Sequence, residues 1–253
     1  GLPDWSWERC RPAFLRLEHD LDKQDAHHGS AGPIPIRRHA SAELATWQAA
    51  FLAACDELSY AQNPDANRPD TTGSAPHPMN KVNGERMGAA RCYLTADVRA
   101  RPGLRIKAET HVVRVLFEGL RVVGVEVTSG GERSVIHADR VVLASGAIST
   151  PGILLRSGIG PRAELERLGV PTVADVPGVA ARLLDHPGVA MFYLPKAGVA
   201  HTRDPLVQTH LRYSAEGSRR LNDMQLQPGS LVALPIGELP AVSLMAAVGK
   251  PRG

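Results

Sequence analysis

The sequence predicts an α/β chain, α+β overall, and three observations carry that reading. An unbroken apolar run, Arg140-Val141-Val142-Leu143-Ala144, meets a glycine turn and then a helical pattern, as a parallel strand does when it feeds a helix. The apolar period is three to four residues up to about residue 58 and changes to two between residues 104 and 137. After residue 188 several short alternating runs follow, as in an antiparallel sheet. The 253 residues, 43% of them hydrophobic, suffice for one or two buried cores. Charge is nearly balanced, 29 basic against 26 acidic residues for a net of +3, which argues against nucleic acid as a partner. Only five of the basic residues are lysine, and the arginines are scattered.

In chain order, Trp7, Cys10, Phe14, Leu17 and Leu21 recur at helical steps and predict a helix over 8–21 with one apolar face, capped by Asp4 or Ser6. The Gly/Pro-punctuated segment 27–38 reads as an extended edge strand. Ser41 is the expected cap of a second helix, with Leu44, Trp47, Phe51, Leu52 and Cys55 on its buried face. The polar stretch 63–83 is too long for an ordinary connector and suits a functional loop. A short helix over 86–94 precedes a strand beginning at Leu104-Arg105-Ile106. Residues 111–118 and 121–127 form a hairpin about Gly119-Leu120, and 134–137 add a third strand. Residues 140–144 make the doubly buried strand, and Ser149 or Thr150 caps the next helix, with Pro151 in its first turn. Gly158 and Gly160 break that helix. A second, 162–168, ends at Gly169. Strands are expected at 189–194, 207–213, 223–226 and 241–247.

The strand, glycine turn and helix form the strongest chemical signal. A helix start offers free N–H groups and a positive dipole end, and Gly146 lets a ligand approach the backbone. Such turns also occur in α/β proteins without any ligand. No GxGxxG, GxSxG, HExxH or P-loop string is present. His27-His28 has no partner at a ligand spacing, and His111, His137, His201 and His210 read as exposed strand or loop residues. Asp185-His186 before Pro187-Gly188 reads as a chain reversal. No residue is assigned a catalytic role or a metal. Three widely spaced cysteines, Cys10, Cys55 and Cys92, suggest reduced thiols and a cytoplasmic location. No apolar stretch is long enough to span a membrane.

The run 146–161, GAISTPGILLRSGIGP, resembles the second signature of the glucose–methanol–choline (GMC) flavoprotein oxidoreductases. DWSWERCRPAFLRLE (4–18), HGSAGPIPIRR (28–38), NGERMGAARCYL (83–94), RPGLRIKAETHVVRVLFEGLRVVGVEV (101–127), RVVLASGAI (140–148) and DVPGVAARLLDHPGV (175–189) follow in the family's order. The resemblance implies part of a Rossmann-like FAD-binding domain and the start of an antiparallel-sheet substrate domain, both incomplete. Residues 1–95 would supply the substrate cap and connecting helices, 96–186 a portion of the FAD domain, and 187–253 the start of the substrate domain. It further implies oxidation of a small alcohol at a CH–OH group, with hydride passing to flavin N5 and the electron acceptor unassigned. A dehydrogenase using an acceptor other than oxygen is the expected kind, from a GC-rich bacterial source. Val112 matches the valine whose backbone meets the adenine edge, and Ala144, Ser145 and Gly146 match the strand end beside the ADP part of FAD. His186 matches the family's DH turn rather than its catalytic base.

The family's GxGxxG fingerprint and its carboxyl-terminal histidine segment have no counterpart here, and the chain opens at Gly1 without Met. The expectation is an internal fragment, inactive by itself, whose residues 250–253 start a family strand. The alternative is a non-catalytic remnant acting as a binding or interaction module, which would fold without flavin.

Overall fold

The computed structural model describes residues 2–234, 237–239 and 241–250. The suggested strand start at 250–253 therefore lies, apart from Lys250, outside the described residues. The chain divides into two units, residues 2–101 with 186–250, and residues 102–185.

The first unit opens with a single 3₁₀ turn, Pro3–Trp5, and helix α1, Trp7–Leu17. This helix stops short of the end its apolar period suggests, because the chain straightens into β1, Glu18–Asp20, which pairs in parallel with β2, Ile34–Ile36. The expected buried face is not buried: Trp7 and Phe14 stack on each other, centroids 6.1 Å apart, and both are exposed. With Leu17, Ile34, Ile36 and Pro69 they line an open apolar cavity of about 610 Å³.

Ser41 begins a 3₁₀ turn rather than capping the second helix. The Glu43 carboxylate accepts the Ala40 N–H at 2.7 Å and takes a two-pronged bond from Arg37 at 3.0 and 2.6 Å. Helix α2, Thr46–Glu57, starts after Ala45. The polar stretch 63–83 contributes strand β3, Gly73–Pro76, and two short helices, Ala89–Tyr93 and Ala96–Arg99, replace the single one expected near residue 90.

The second unit holds a three-stranded meander, β4 (Thr110–Glu118), β5 (Arg121–Ser129) and β6 (Glu132–His137), hydrogen-bonded in chain order. Gly119 makes the first turn with φ +62°, a value natural for the first central residue of a type II′ turn. Leu104-Arg105-Ile106 forms no strand. Residues 140–144 correct a larger expectation. They have no strand assignment and form no ladder with any described strand; Val141 and Leu143 are half-buried, and Val142 is 89% exposed. A parallel strand exists only through its neighbours' hydrogen bonds, and an apolar run signals the need for such neighbours without supplying them.

Helix α3, Gly146–Arg156, follows and buries Ile153. It starts earlier than a cap at Ser149 or Thr150 would set it, with Ser145 at the cap position. Helix α4, Arg162–Arg167, buries Leu165 completely and ends with Gly169 at φ +66°. Between them Ile159–Gly160 pairs in parallel with Ala174–Asp175.

Returning to the first unit, the chain adds β7 (Gly188–Tyr193), β8 (Thr209–Tyr213), β9 (Met224–Gly229) and β10 (Val242–Val248). With β3 they form one antiparallel sheet in the order β7-β10-β9-β8-β3. Helix α2 covers one face through Gln48, which is fully buried. Its Oε1 accepts the Gln208 and Thr209 N–H groups and the Thr209 hydroxyl at 3.2, 3.0 and 2.7 Å. Its Nε2 donates to the Pro228 carbonyl and Ser230 Oγ at 3.0 and 2.8 Å. Side chains alternate between sheet faces, so Thr209 and Leu211 face α2 while His210 and Arg212 occupy the other face.

Candidate functional site

In the second unit β4 is an edge strand, and α3 engages its free edge. Ser157, the residue capping the end of α3, accepts the buried Val115 N–H at 2.8 Å through its hydroxyl oxygen and donates that hydroxyl to the Ile153 carbonyl at 2.6 Å. Arg156 Nε donates to the Val113 carbonyl at 2.7 Å. The β4–β5 register shifts between Val112 and Arg114, which leaves Val113 as the extra residue of a bulge. Val112, opposite Val127, is half-buried beside it.

At the other end of α3, Ala144, Ser145 and Gly146 are exposed. Gly146 has φ +80°, and a Cβ placed on it would meet nothing within 4 Å. The Ser145 N–H is tied to Thr150 Oγ1 at 3.1 Å. Val142 and Ile148, 89% and 78% exposed, leave apolar surface bare around a helix start whose first N–H groups have no helical partner. The structure thus sets three of the four expected residues together and places Val112 near the far end of the helix. Eleven residues span roughly 15 Å, so the helix sets the two groups apart by about that length.

The first unit carries a second constellation on the sheet face away from α2. His77 and His210 stack with ring centroids 4.3 Å apart and planes 29° apart. His77 Nε2 lies 2.9 Å from Gln227 Nε2, so the ring nitrogen accepts and the carboxamide donates. Burial, with the nearby Arg212 cation, pushes His77 down to about 4. Burial, then His77 and Arg212, pushes His210 down to about 3. Both rings are therefore neutral at pH 7. His210 is only 2% exposed, and its Nδ1 is a buried polar atom with no hydrogen-bond partner among the described residues. Arg212 bonds the Thr71 carbonyl and hydroxyl at 2.8 and 2.7 Å, while its Nε is likewise unpaired.

This corrects the expectation of an exposed His210. Strand alternation places it on a definite face, but only the tertiary fold reveals that the face is covered. Ser157 and Arg156 were not singled out from sequence either: their roles depend on β4 lying alongside α3. His186 Nδ1 lies 2.8 Å from the Val248 carbonyl and so helps seat β10.

Comparison with known proteins places these features in a family context. A family model described as GMC oxidoreductase matches residues 1–188. An uncharacterized GMC-type oxidoreductase of Rhodococcus erythropolis is 37% identical over 210 residues, 82% of this chain and 42% of the relative. A 5-(hydroxymethyl)furfural oxidase of Methylovorus sp. is 38% identical over 192 residues, 76% of this chain and 36% of the relative. An oxygen-dependent choline dehydrogenase of Pseudomonas putida is 36% identical over 191 residues, 74% and 33% respectively. The crystal structure of pyridoxine 4-oxidase from Mesorbium loti superposes with TM-score 0.80 at 27% identity, covering 98% of this chain and 50% of that one. A formate oxidase structure shares the fold with TM-score 0.79 at 20% identity. The chain spans less than half the length of the curated relatives it matches.

Proposed function

The chain belongs to the GMC oxidoreductase family, and from that membership we propose that it builds part of the FAD site and part of the substrate pocket of an enzyme oxidising the CH–OH group of a small alcohol. The family's cofactor is FAD. The observation that carries the reading is Gly146, whose left-handed φ opens an eleven-residue helix onto open space bordered by bare apolar side chains. A side chain there would fill the approach that a pyrophosphate or ribose needs. In this reading Ala144, Ser145 and Gly146 line the ADP part, and the strand-end backbone at Val112 meets the adenine edge. Ser157 and Arg156 hold α3 on the bulged strand and so fix the two ends of that wall.

The chemistry FAD supplies when bound is acceptance of a hydride at flavin N5. In this reading the neutral cluster of His77, His210 and Gln227 belongs to the substrate side of the chain. The proton-accepting base and the GxGxxG fingerprint are assigned to no residue of this chain. A cytoplasmic location is part of the proposal, resting on three cysteines that form no disulfide. Among the described residues no helix is long and apolar enough to cross a membrane.

The test is anaerobic mixing of the full-length protein with a panel of small primary alcohols while the flavin absorbance is followed. Bleaching by at least one alcohol, with appearance of the carbonyl product, is the expected result. A flavin that dithionite bleaches and no alcohol does would overturn the substrate class. A protein that folds and carries no flavin would favour the interaction-module reading. Admitting air afterwards separates an oxidase, which regains colour within turnover time, from the expected dehydrogenase, which does not.

A further inference from the structure

The first unit contains a buried cluster unrelated to the cofactor wall. Glu18 and Asp20, two residues apart on β1, point to one side of the strand. The loop 28–32 is pressed against it, since a Cβ on Gly29 would lie 2.4 Å from the Glu18 carbonyl oxygen. This close approach brings the His28 side chain, which has no solvent exposure, to 3.1 Å from Asp20 Oδ2 and 3.6 Å from Glu18 Oε1, both measured from Nδ1.

We propose that Glu18 Oε1, Asp20 Oδ2 and His28 Nδ1 form a binding site for a divalent first-row metal ion such as Zn²⁺. Three features support it. The first is spacing: a tetrahedral ion with bonds of about 2.1 Å separates its ligand atoms by about 3.4 Å, and the two measured separations bracket that value. The three ligand atoms all lie within 4.8 Å of one another.

The second feature is the histidine's polarity. His28 Nε2 sits 2.7 Å from Asp65 Oδ2, a contact that places the ring proton on Nε2. Nδ1 faces two carboxylates, an arrangement that is favourable only with a proton or a metal ion between them. Despite its 3.1 Å approach to Asp20, Nδ1 forms no properly directed hydrogen bond within the described structure, so this buried nitrogen has no partner committed to it. The arrangement Asp65–His28–metal is the carboxylate–histidine pairing that commonly orients ligating imidazoles.

The third feature is support around the ligands. The second Glu18 oxygen accepts the Gly29 N–H at 3.0 Å. Asp20 Oδ1 accepts the Asp22 and Lys23 N–H groups, each at 2.9 Å. Arg38 donates to both Asp20 oxygens at 3.0 Å, the proposed ligand oxygen Oδ2 included, and to Asp65 Oδ1 at 2.8 Å, which fixes both carboxylates while its charge weakens the site relative to an all-anionic cage. Glu18 also borders the apolar cavity and gives the ion a way in. The site staples β1 to the following loop and contributes to stability independently of flavin.

The experiment uses full-length protein at fixed flavin occupancy, stripped with a chelator and titrated with Zn²⁺. Expected are one tightly bound zinc per chain and a Tm rise of about 5 °C or more at a hundredfold excess over Kd. X-ray absorption of the loaded protein should show one imidazole nitrogen with oxygens at about 2.0–2.2 Å and no sulfur. Glu18→Gln keeps an acceptor for the Gly29 N–H and should bind zinc at least tenfold more weakly. No stoichiometric zinc, sulfur in the absorption spectrum, or unchanged affinity in Glu18→Gln would each overturn the proposal. The first of these would make the cluster a structural ion-pair network centred on Arg38. The absorption spectrum and the wild-type titration decide even if the variant does not fold.

Discussion

At the scale of single residues, the His77–His210 pair has the clearest consequence. Folding holds these rings neutral down to about 4 and about 3, whereas an unfolded histidine takes a proton near its ordinary value of about 6.5. Between that ordinary value and the folded values the unfolded chain binds more protons, so stability falls as pH falls through that window. The pair contributes nothing to the pH slope above it. Each uncompensated proton contributes about 1.4 kcal/mol per pH unit at full protonation of the unfolded state. His210→Gln should therefore flatten the denaturation free energy against pH between about 4.5 and about 6 relative to wild type. An identical slope in the variant would mean that His210 is not held neutral. None of this is visible in the sequence, where the THLRY run shows alternation but not which face is covered; burial comes from residues distant along the chain.

At the scale of elements, two polar side chains set how helices seat on sheets. Ser157 both receives the buried Val115 N–H and donates to Ile153. Ser157→Ala strands a donor and should cost about 2 kcal/mol in chemical denaturation. Gln48 satisfies donors and acceptors from β8, β9 and their flanks at once, and Gln48→Leu should cost about 3 kcal/mol or more although it is more hydrophobic. A Gln48→Leu protein as stable as wild type would contradict the network. Elements that owe their form to local chemistry were legible: the hairpin at Gly119, the stop at Gly169 and the alternating strands after residue 188. Three expectations failed where partners outside the segment decide. Residues 140–144 carry a strand's composition without a pairing neighbour among the described residues, α1 yields its last turn to β1, and the apolar face of α1 faces an open cavity.

At the scale of the whole molecule, the family was legible because its long signature is a local string that needs no tertiary contact to read, and the match over residues 1–188 bears it out. The candidate site was legible only in part. Gly146 announces itself as a glycine between a strand-like run and a helix, whereas the supports at Ser157 and Arg156 arise from β4 and α3 meeting. That the start of α3 is a wall of an FAD site is the proposal on which the function rests. It is tested by measuring released FAD per protein, and FAD affinity, for the full-length wild type and for Gly146→Val. In the variant a branched side chain would occupy the open approach at φ +80°, with backbone strain of about 1–2 kcal/mol. Near-stoichiometric FAD is expected in the wild type and at least tenfold weaker binding in a folded variant. Equal flavin content and affinity in the two proteins would contradict it.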